Sequence, residues 1–277
     1  MDAQAPGSQT HAAWEARLGR MAAVATQWQA RTIEVPPVDE GSPLAGDNQV
    51  GVHVSSVAWY ALAVATEHLD FCLTAIRETQ TLYPTAYLTV LRTGLLSASN
   101  AVWILSPSRR RTRQERTLRI QADDLRSQIA MVRSATALTA AQTEIQSADL
   151  AHLQQRQEHL QESANHLGIT EQVARMKLNN TMVITTVADQ LHAGDDPVVA
   201  SGVQLLWRTG SAVAHAQRSH AIRRLARDHN RRNVDGTTTA RLRGDLVHDV
   251  GPAAAAVALT LSEGFRLYDE RRQNPRR

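Results

Sequence analysis

The chain contains one cysteine, one lysine and few aromatic residues. Cys72 is the only cysteine among 277 residues, which excludes an intramolecular disulfide and a cysteine metal site. Its apolar neighbours predict a buried thiol. Lys177 is the only lysine, and the other 29 of the 30 basic residues are arginine. Because this bias is typical of a GC-rich genome, the net charge of +3 does not by itself indicate phosphate binding.

Long hydrophobic runs are also missing. No stretch reaches the roughly 18 apolar residues of a membrane span, and the richest, 253–261, is far too short. The N-terminus has no basic patch followed by an apolar run, so no secretory signal is predicted. Nucleophile elbows, phosphate-cradling glycine loops and di-iron motifs are absent as well. We therefore expect a cytoplasmic protein with no metal, no cofactor and no membrane partner.

The residues that are abundant are good helix formers. Ala, Leu, Gln, Arg and Glu dominate, and period-two alternation is absent, which predicts an all-α fold. Residues 1–51 are expected to hold an N-terminal amphipathic helix followed by a turn-rich linker. The apolar stripe of that helix consists of Trp14, Leu18, Met21, Val24 and Trp28. Residues 52–277 are expected to form an up-and-down helical bundle.

The bundle region contains one unusual stretch, the long polar region 110–167. Leucines recur there every seven residues, which predicts a coiled-coil-like seam in either one long helix or a helix pair. Shorter helices are predicted at 55–79, 85–105, 170–192 and 197–218, then a turn-rich loop at 218–244 and a last helix from 252. The leucine seam and the tryptophan stripe favour a homo-oligomer or a protein partner, because one chain does not easily bury either.

Residues 198–215 place polar groups in an otherwise apolar helix. Arg208, Ser211 and His215 are spaced three and four apart, so they share one face, with about 10.5 Å of rise between the first and the last. Buried polar groups need partners. The spacing therefore predicts a polar network inside the bundle, completed by His68 and Arg92.

The same residues resemble a family signature. Arg208 and His215 are similar to the Arg-x(4–6)-His motif of HEPN-domain proteins, many of which are metal-independent ribonucleases in defence systems. The resemblance implies that Arg208 neutralises the scissile phosphate, that His215 acts as general acid or base, and that RNA is a substrate. Thr209 departs from the family, which usually has Asn, Asp or His there. The pair of helices carrying Arg92 and Arg208 also resembles uncharacterised helical proteins of high-GC bacteria, which implies a fold without an activity.

Three other patterns favour structural roles. His152, His159 and His166 are each about 10.5 Å apart along a helix, too far to share a metal ion. Residues 168–191 mimic a helix-turn-helix, but the would-be reading helix offers Met, Val, Ile and Thr to the bases. Two arginine clusters are expected to be solvated surfaces: Arg109, Arg110, Arg111, Arg113, Arg116 and Arg119, then Arg218, Arg223, Arg224, Arg227, Arg231 and Arg232.

Three hypotheses of function follow from these observations. The first is a non-enzymatic interaction protein with a defence-associated role. The second is a HEPN-like ribonuclease that uses Arg208 and His215. The third is a nucleic-acid-binding protein that uses the arginine clusters, although few aromatic residues interleave with them for base stacking.

Overall fold

The computed structural model of this chain describes residues 6–136, 139–169, 177–192, 197–218, 230–240 and 242–275. Its helices are α1 (Pro6–Arg31), α2 (Pro43–Asp47), α3 (Val54–Thr79), α4 (Ala86–Leu105), α5 (Arg110–Ser134), α6 (Ala140–His166), α7 (Asn180–His192), α8 (Pro197–Ala214) and α9 (Gly251–Arg272). The π-helical turn Leu246–Val250 leads into α9. A small antiparallel hairpin, β1 (Asn230–Arg232) and β2 (Thr238–Ala240), lies in the predicted loop. The prediction of an all-α helical bundle is confirmed.

The chain divides into two compact units. The first comprises Met1–Val35, Ala61–Val102 and Thr181–Phe265. The second comprises Pro36–Tyr60, Trp103–Asn180 and Arg266–Arg277. Each unit is assembled from three separated stretches, so their borders differ from the division at residue 51 that the sequence suggested.

Close helix approaches build the core of the first unit. A Cβ placed on Gly264 of α9 would lie 2.7 Å from the Leu62 side chain of α3, and one on Gly94 of α4 would lie 3.3 Å from Val257 of α9. Small residues at these points let the helices approach. The N-terminal helix α1 packs against α9 within this unit, where the Trp28 and Phe265 ring centroids lie 5.4 Å apart.

The second unit contains a helix where the sequence predicted a linker. Ser42 caps α2 by accepting a hydrogen bond from the Ala45 N–H, and Pro43 occupies the first helical position. Leu44 and Asp47 are fully buried. The linker prediction is therefore wrong for residues 43–47, because the turn residues there start a helix that carries a core leucine.

The long polar region is a pair of helices, α5 and α6, which settles the alternative left open by the sequence. Thr139 and Gln142 form a capping box that starts α6. The Gln146 side chain then donates hydrogen bonds to the carbonyls of Val132 and Ala135 near the end of α5. Leu153 and Leu160 are buried. The leucine seam is thus covered within this chain and does not by itself require a second copy.

One helix among the described residues has the length and composition of a membrane span. It is Ala86–Leu105, with a mean hydropathy of 1.3 over its most apolar window. Of that window, 61% is buried inside the protein, as in the central helix of a bundle.

Candidate functional site

The predicted polar strip is built around Trp207 in the first unit. Trp207 is buried on α8, and its indole N–H donates to the Thr181 hydroxyl of α7 over 3.1 Å. The Arg92 guanidinium of α4 lies over the indole ring, 4.3 Å from the centroid. Arg92 also donates from Nε to the Ser211 hydroxyl at 2.8 Å. Arg92 therefore joins α4 to α8 by a cation–π contact and a hydrogen bond.

Burial of Arg92 shifts its titration. Desolvation lowers the pKa of the guanidinium from its usual value. Among the described residues, the partners of Arg92 are a neutral hydroxyl and an aromatic face, which offer dipoles to its charge. Both contacts of the Arg92 side chain are made with residues of α8.

Arg208 and His215 are not part of this interior network. Both side chains are exposed, which contradicts the expectation that the Arg208–Ser211–His215 face points inward. Arg208 follows the buried Trp207 and is rotated by about 100° around the helix. His215 lies beyond the last residue of α8, where Ala216 takes a φ of 51° and the Gln217 N–H bonds back to the Ala212 carbonyl.

The hydrogen bond described for His68 does not involve Arg92. Its Nδ1 is 2.8 Å from the Val64 carbonyl of its own helix. Among the described contacts, the network predicted from sequence thus consists of Arg92 and Ser211, with Trp207 and Thr181 added. Trp207 belongs to the predicted strip, but no pattern in the sequence indicates that Thr181 is its hydrogen-bond partner.

One member of the first arginine cluster, Arg113, lies in the interior of the second unit. Arg113 is buried and forms a two-pronged pair with Asp47, with distances of 2.6 and 2.7 Å. It also donates to the carbonyls of Pro107 and Ser108. The solvated-face prediction is wrong for Arg113, because the residue lies on the side of α5 that faces α2.

Two further arginines satisfy carbonyls at the end of α4. Arg116 donates to the Trp103 carbonyl at 2.6 Å and lies over the Trp103 ring. Arg271 donates to the Leu105 carbonyl at 2.5 Å. Burial lowers the pKa of both guanidinium groups. Orphan carbonyls at a helix end need such donors, so these arginines have structural roles.

The other candidates from the sequence are three histidines, a helix-turn-helix-like segment and a second arginine cluster. His152, His159 and His166 are exposed, and the described residues contain no group of three His, Cys, Asp or Glu that could hold a metal. In the helix-turn-helix-like segment, 170–176 lies outside the described residues, and α7 buries Val183, Ile184, Val187 and Ala188. Of the second arginine cluster, 223–227 lies outside the described residues.

An apolar groove runs between α1 and α9 in the first unit. Its cavity has a volume of about 330 Å³. Its lining residues are Trp14, Arg17, Arg20, Met21, Val24, Trp28, Ala255, Ala258, Leu259 and Ser262. Leu259 is 55% exposed and Val24 is 38% exposed. The tryptophan stripe is therefore only partly covered by its own chain.

The charge of the groove has one sign. Arg17 and Arg20 are exposed on α1, and Arg17 lies over the Trp14 ring, 4.9 Å from the centroid. The described residues that line the groove include neither Asp nor Glu. The sequence identified the α1 stripe but not the groove, because the opposite wall is formed by residues more than 200 positions away.

Comparisons of the chain with protein-family models, with curated proteins and with solved structures find no match.

Proposed function

We propose that this protein is an interaction protein whose groove between α1 and α9 binds an acidic amphipathic helix of a partner protein. The observation that carries the proposal is the half-buried tryptophan stripe, which is flanked by exposed arginines. Apolar surface rimmed by polar groups is typical of an interaction site. Leu18 and Ala25, on the same stripe of α1, are buried and fix that wall in place.

The shape of the groove fits a helix. Trp14 and Trp28 are fourteen residues apart on α1, which corresponds to about 21 Å of rise, or four helical turns. On the other wall, Ala255, Ala258, Leu259 and Ser262 follow the spacing of one helix face. Helix-in-groove recognition uses apolar anchors at this spacing, and tryptophan is frequent among residues that dominate binding energy.

The charges favour an acidic partner. A helix seated between the two walls would place its flanking side chains beside Arg17 and Arg20. Acidic residues at those positions would be attracted and lysines would be repelled. These contacts at an exposed rim chiefly set selectivity and association rate, while the apolar anchors supply most of the affinity.

The test is a fluorescence-anisotropy titration with a designed peptide. The peptide is an amphipathic helix with leucines at i, i+3, i+4 and i+7 and glutamates on its flanks. We expect saturable binding to the native protein and at least tenfold weaker binding to Met21→Glu, about 1.4 kcal/mol, because the new carboxylate enters the apolar floor. Leu205→Glu, at an exposed leucine on α8, is the matched control and should bind normally.

Two results would overturn the proposal. One is the absence of saturable binding, or equal loss of binding in Met21→Glu and Leu205→Glu when both retain the native circular dichroism spectrum. The other is self-association: a concentration-dependent dimer in sedimentation that Met21→Glu abolishes would assign the groove to a second copy of this chain.

A HEPN-like ribonuclease is the second candidate. It is favoured by the exposure of Arg208 on α8 and of His215 just after that helix, which leaves both groups accessible to RNA. Labelled RNA incubated with the protein in EDTA should be cleaved, and His215→Ala should abolish cleavage. RNA that stays intact, or cleavage that the variant retains, excludes this activity.

A further inference from the structure

A second cavity lies in the second unit, beside the α5–α6 pair. It has a volume of about 290 Å³. Its lining residues are Gly51, His53, Gln121, Asp124, Leu125, Arg156, His159 and Leu160. In contrast to the groove of the first unit, its lining includes ionisable groups of both signs and an amide. Its size lies at the lower end of the range of small-molecule sites, ~300–1000 Å³.

One polar atom at this cavity has no partner. The Gln121 side-chain oxygen is buried and accepts no hydrogen bond, while its amide nitrogen donates a long 3.4 Å bond to the Gly51 carbonyl. Buried side-chain acceptors are almost always satisfied in folded proteins. Of the contacts that the structure describes, only the long amide bond to Gly51 holds this side chain, so a rotation of Gln121 turns its oxygen towards a hydroxyl or amine donor that enters the cavity.

The cavity is also lined by an arginine that is held in place by its neighbours. Arg156 of α6 donates from Nη1 to the Gln128 oxygen at 3.0 Å, and the Gln128 amide donates to Asp124 at 2.7 Å. Gln128 thus fixes both the arginine and the carboxylate of α5. Arg156 has five N–H donors, and this bond uses one of them.

Two imidazoles add further N–H donors. His53 and His159 line the same cavity and are exposed. Neutral imidazole donates one N–H and imidazolium donates two, so both rings can bind an anion. Arginine and histidine donors together suit a phosphate, whose oxygens accept several charge-assisted hydrogen bonds.

We propose that this cavity binds a small hydroxylated phosphate monoester. Arg156, His53 and His159 hold the phosphate, and the ligand hydroxyls donate to Gln121 and to the Asp124 carboxylate, which would repel the phosphate and so faces the hydroxyl end of the ligand. Leu125 and Leu160, both buried, form the floor. The site is independent of the groove between α1 and α9, and no contact of the proposed partner helix is involved.

The experiment is isothermal titration calorimetry with three matched probes. Glycerol 3-phosphate carries both the phosphate and hydroxyl donors, methyl phosphate lacks the hydroxyls, and glycerol lacks the phosphate. We expect saturable binding of glycerol 3-phosphate, weaker binding of methyl phosphate and no binding of glycerol at about 10 mM. Arg156→Gln and Gln121→Leu should each weaken glycerol 3-phosphate binding by roughly tenfold.

The control is Arg133→Gln, which removes an exposed arginine of α5 that lines a different cavity. It should bind glycerol 3-phosphate like the native protein. The proposal is overturned if glycerol 3-phosphate shows no saturable binding, if glycerol binds equally well, or if Arg133→Gln weakens binding as much as Arg156→Gln. Circular dichroism of each variant verifies that the helices are intact.

Discussion

Two glycines of the same helix are expected to respond to alanine with opposite signs. Gly202 and Gly210 both lie inside α8. A Cβ on Gly202 would meet no atom within 4 Å, whereas one on Gly210 would lie 2.8 Å from the Arg92 Cβ and 3.0 Å from the Leu88 carbonyl oxygen. Neither neighbour at Gly210 is the free end of a flexible side chain. The backbones of α4 and α8 must separate to admit the methyl group.

The magnitudes follow from helix propensity and overpacking. Replacing a helical glycine by alanine stabilises by about 0.5–1 kcal/mol, and this is the whole effect expected for Gly202→Ala. At Gly210 the same gain is opposed by overpacking of about 1–3 kcal/mol. The net result for Gly210→Ala is a loss of up to about 2.5 kcal/mol.

Urea denaturation followed by circular dichroism measures both free energies of unfolding. The approach of α4 to α8 would be refuted if Gly210→Ala were as stable as Gly202→Ala. Tryptophan emission adds a second readout, because separation of the helices removes Arg92 from the Trp207 ring. A stable Gly210→Ala protein with unchanged emission would show that these helices are not in contact there.

The other predictions concern buried groups. Asp47→Asn should lower the free energy of unfolding by about 3–5 kcal/mol, because it leaves the Arg113 charge buried without its counter-ion, whereas Glu78→Gln, in an exposed pair with Arg77, should change it by less than about 1 kcal/mol. Equal urea midpoints would contradict the buried pair. Burial raises the pKa of the Cys72 thiol to about 12, so a thiol reagent at pH 8 should label the protein only after unfolding. Rapid labelling of the native protein would instead show that the thiol is accessible. The stability that this pKa shift contributes is complete below the unfolded pKa of about 9 and is lost as the pH rises towards 12.

Most of the helices could be predicted because their apolar period and their end signals agree. Pro84 and Pro107 separate α3, α4 and α5, and these breaks are local features of the sequence. The helix at 43–47 was missed because a helix of five residues is too short to show an apolar period. Its Ser42–Pro43 start was instead interpreted as turn chemistry.

The candidate sites were less predictable because they depend on which helices meet. Arg92 and Ser211 were assigned to one larger polar network because both are polar groups in apolar helices, and the structure joins these two members, 119 positions apart, by a hydrogen bond. The same reasoning placed Arg208 inside, but an arginine next to a buried tryptophan points to another side of the helix. The α1–α9 groove arises only when two distant helices pack side by side.

The most direct test of the proposed function is a charge exchange at the groove. The affinities of two designed peptides, one with glutamates and one with lysines on the flanks of the same leucine face, are measured for the native protein and for a protein carrying Arg17→Glu and Arg20→Glu. We predict that the native protein prefers the acidic peptide and that the double variant prefers the basic one. A preference that stays the same in both proteins would contradict binding of a partner helix between Arg17, Arg20 and the α9 wall.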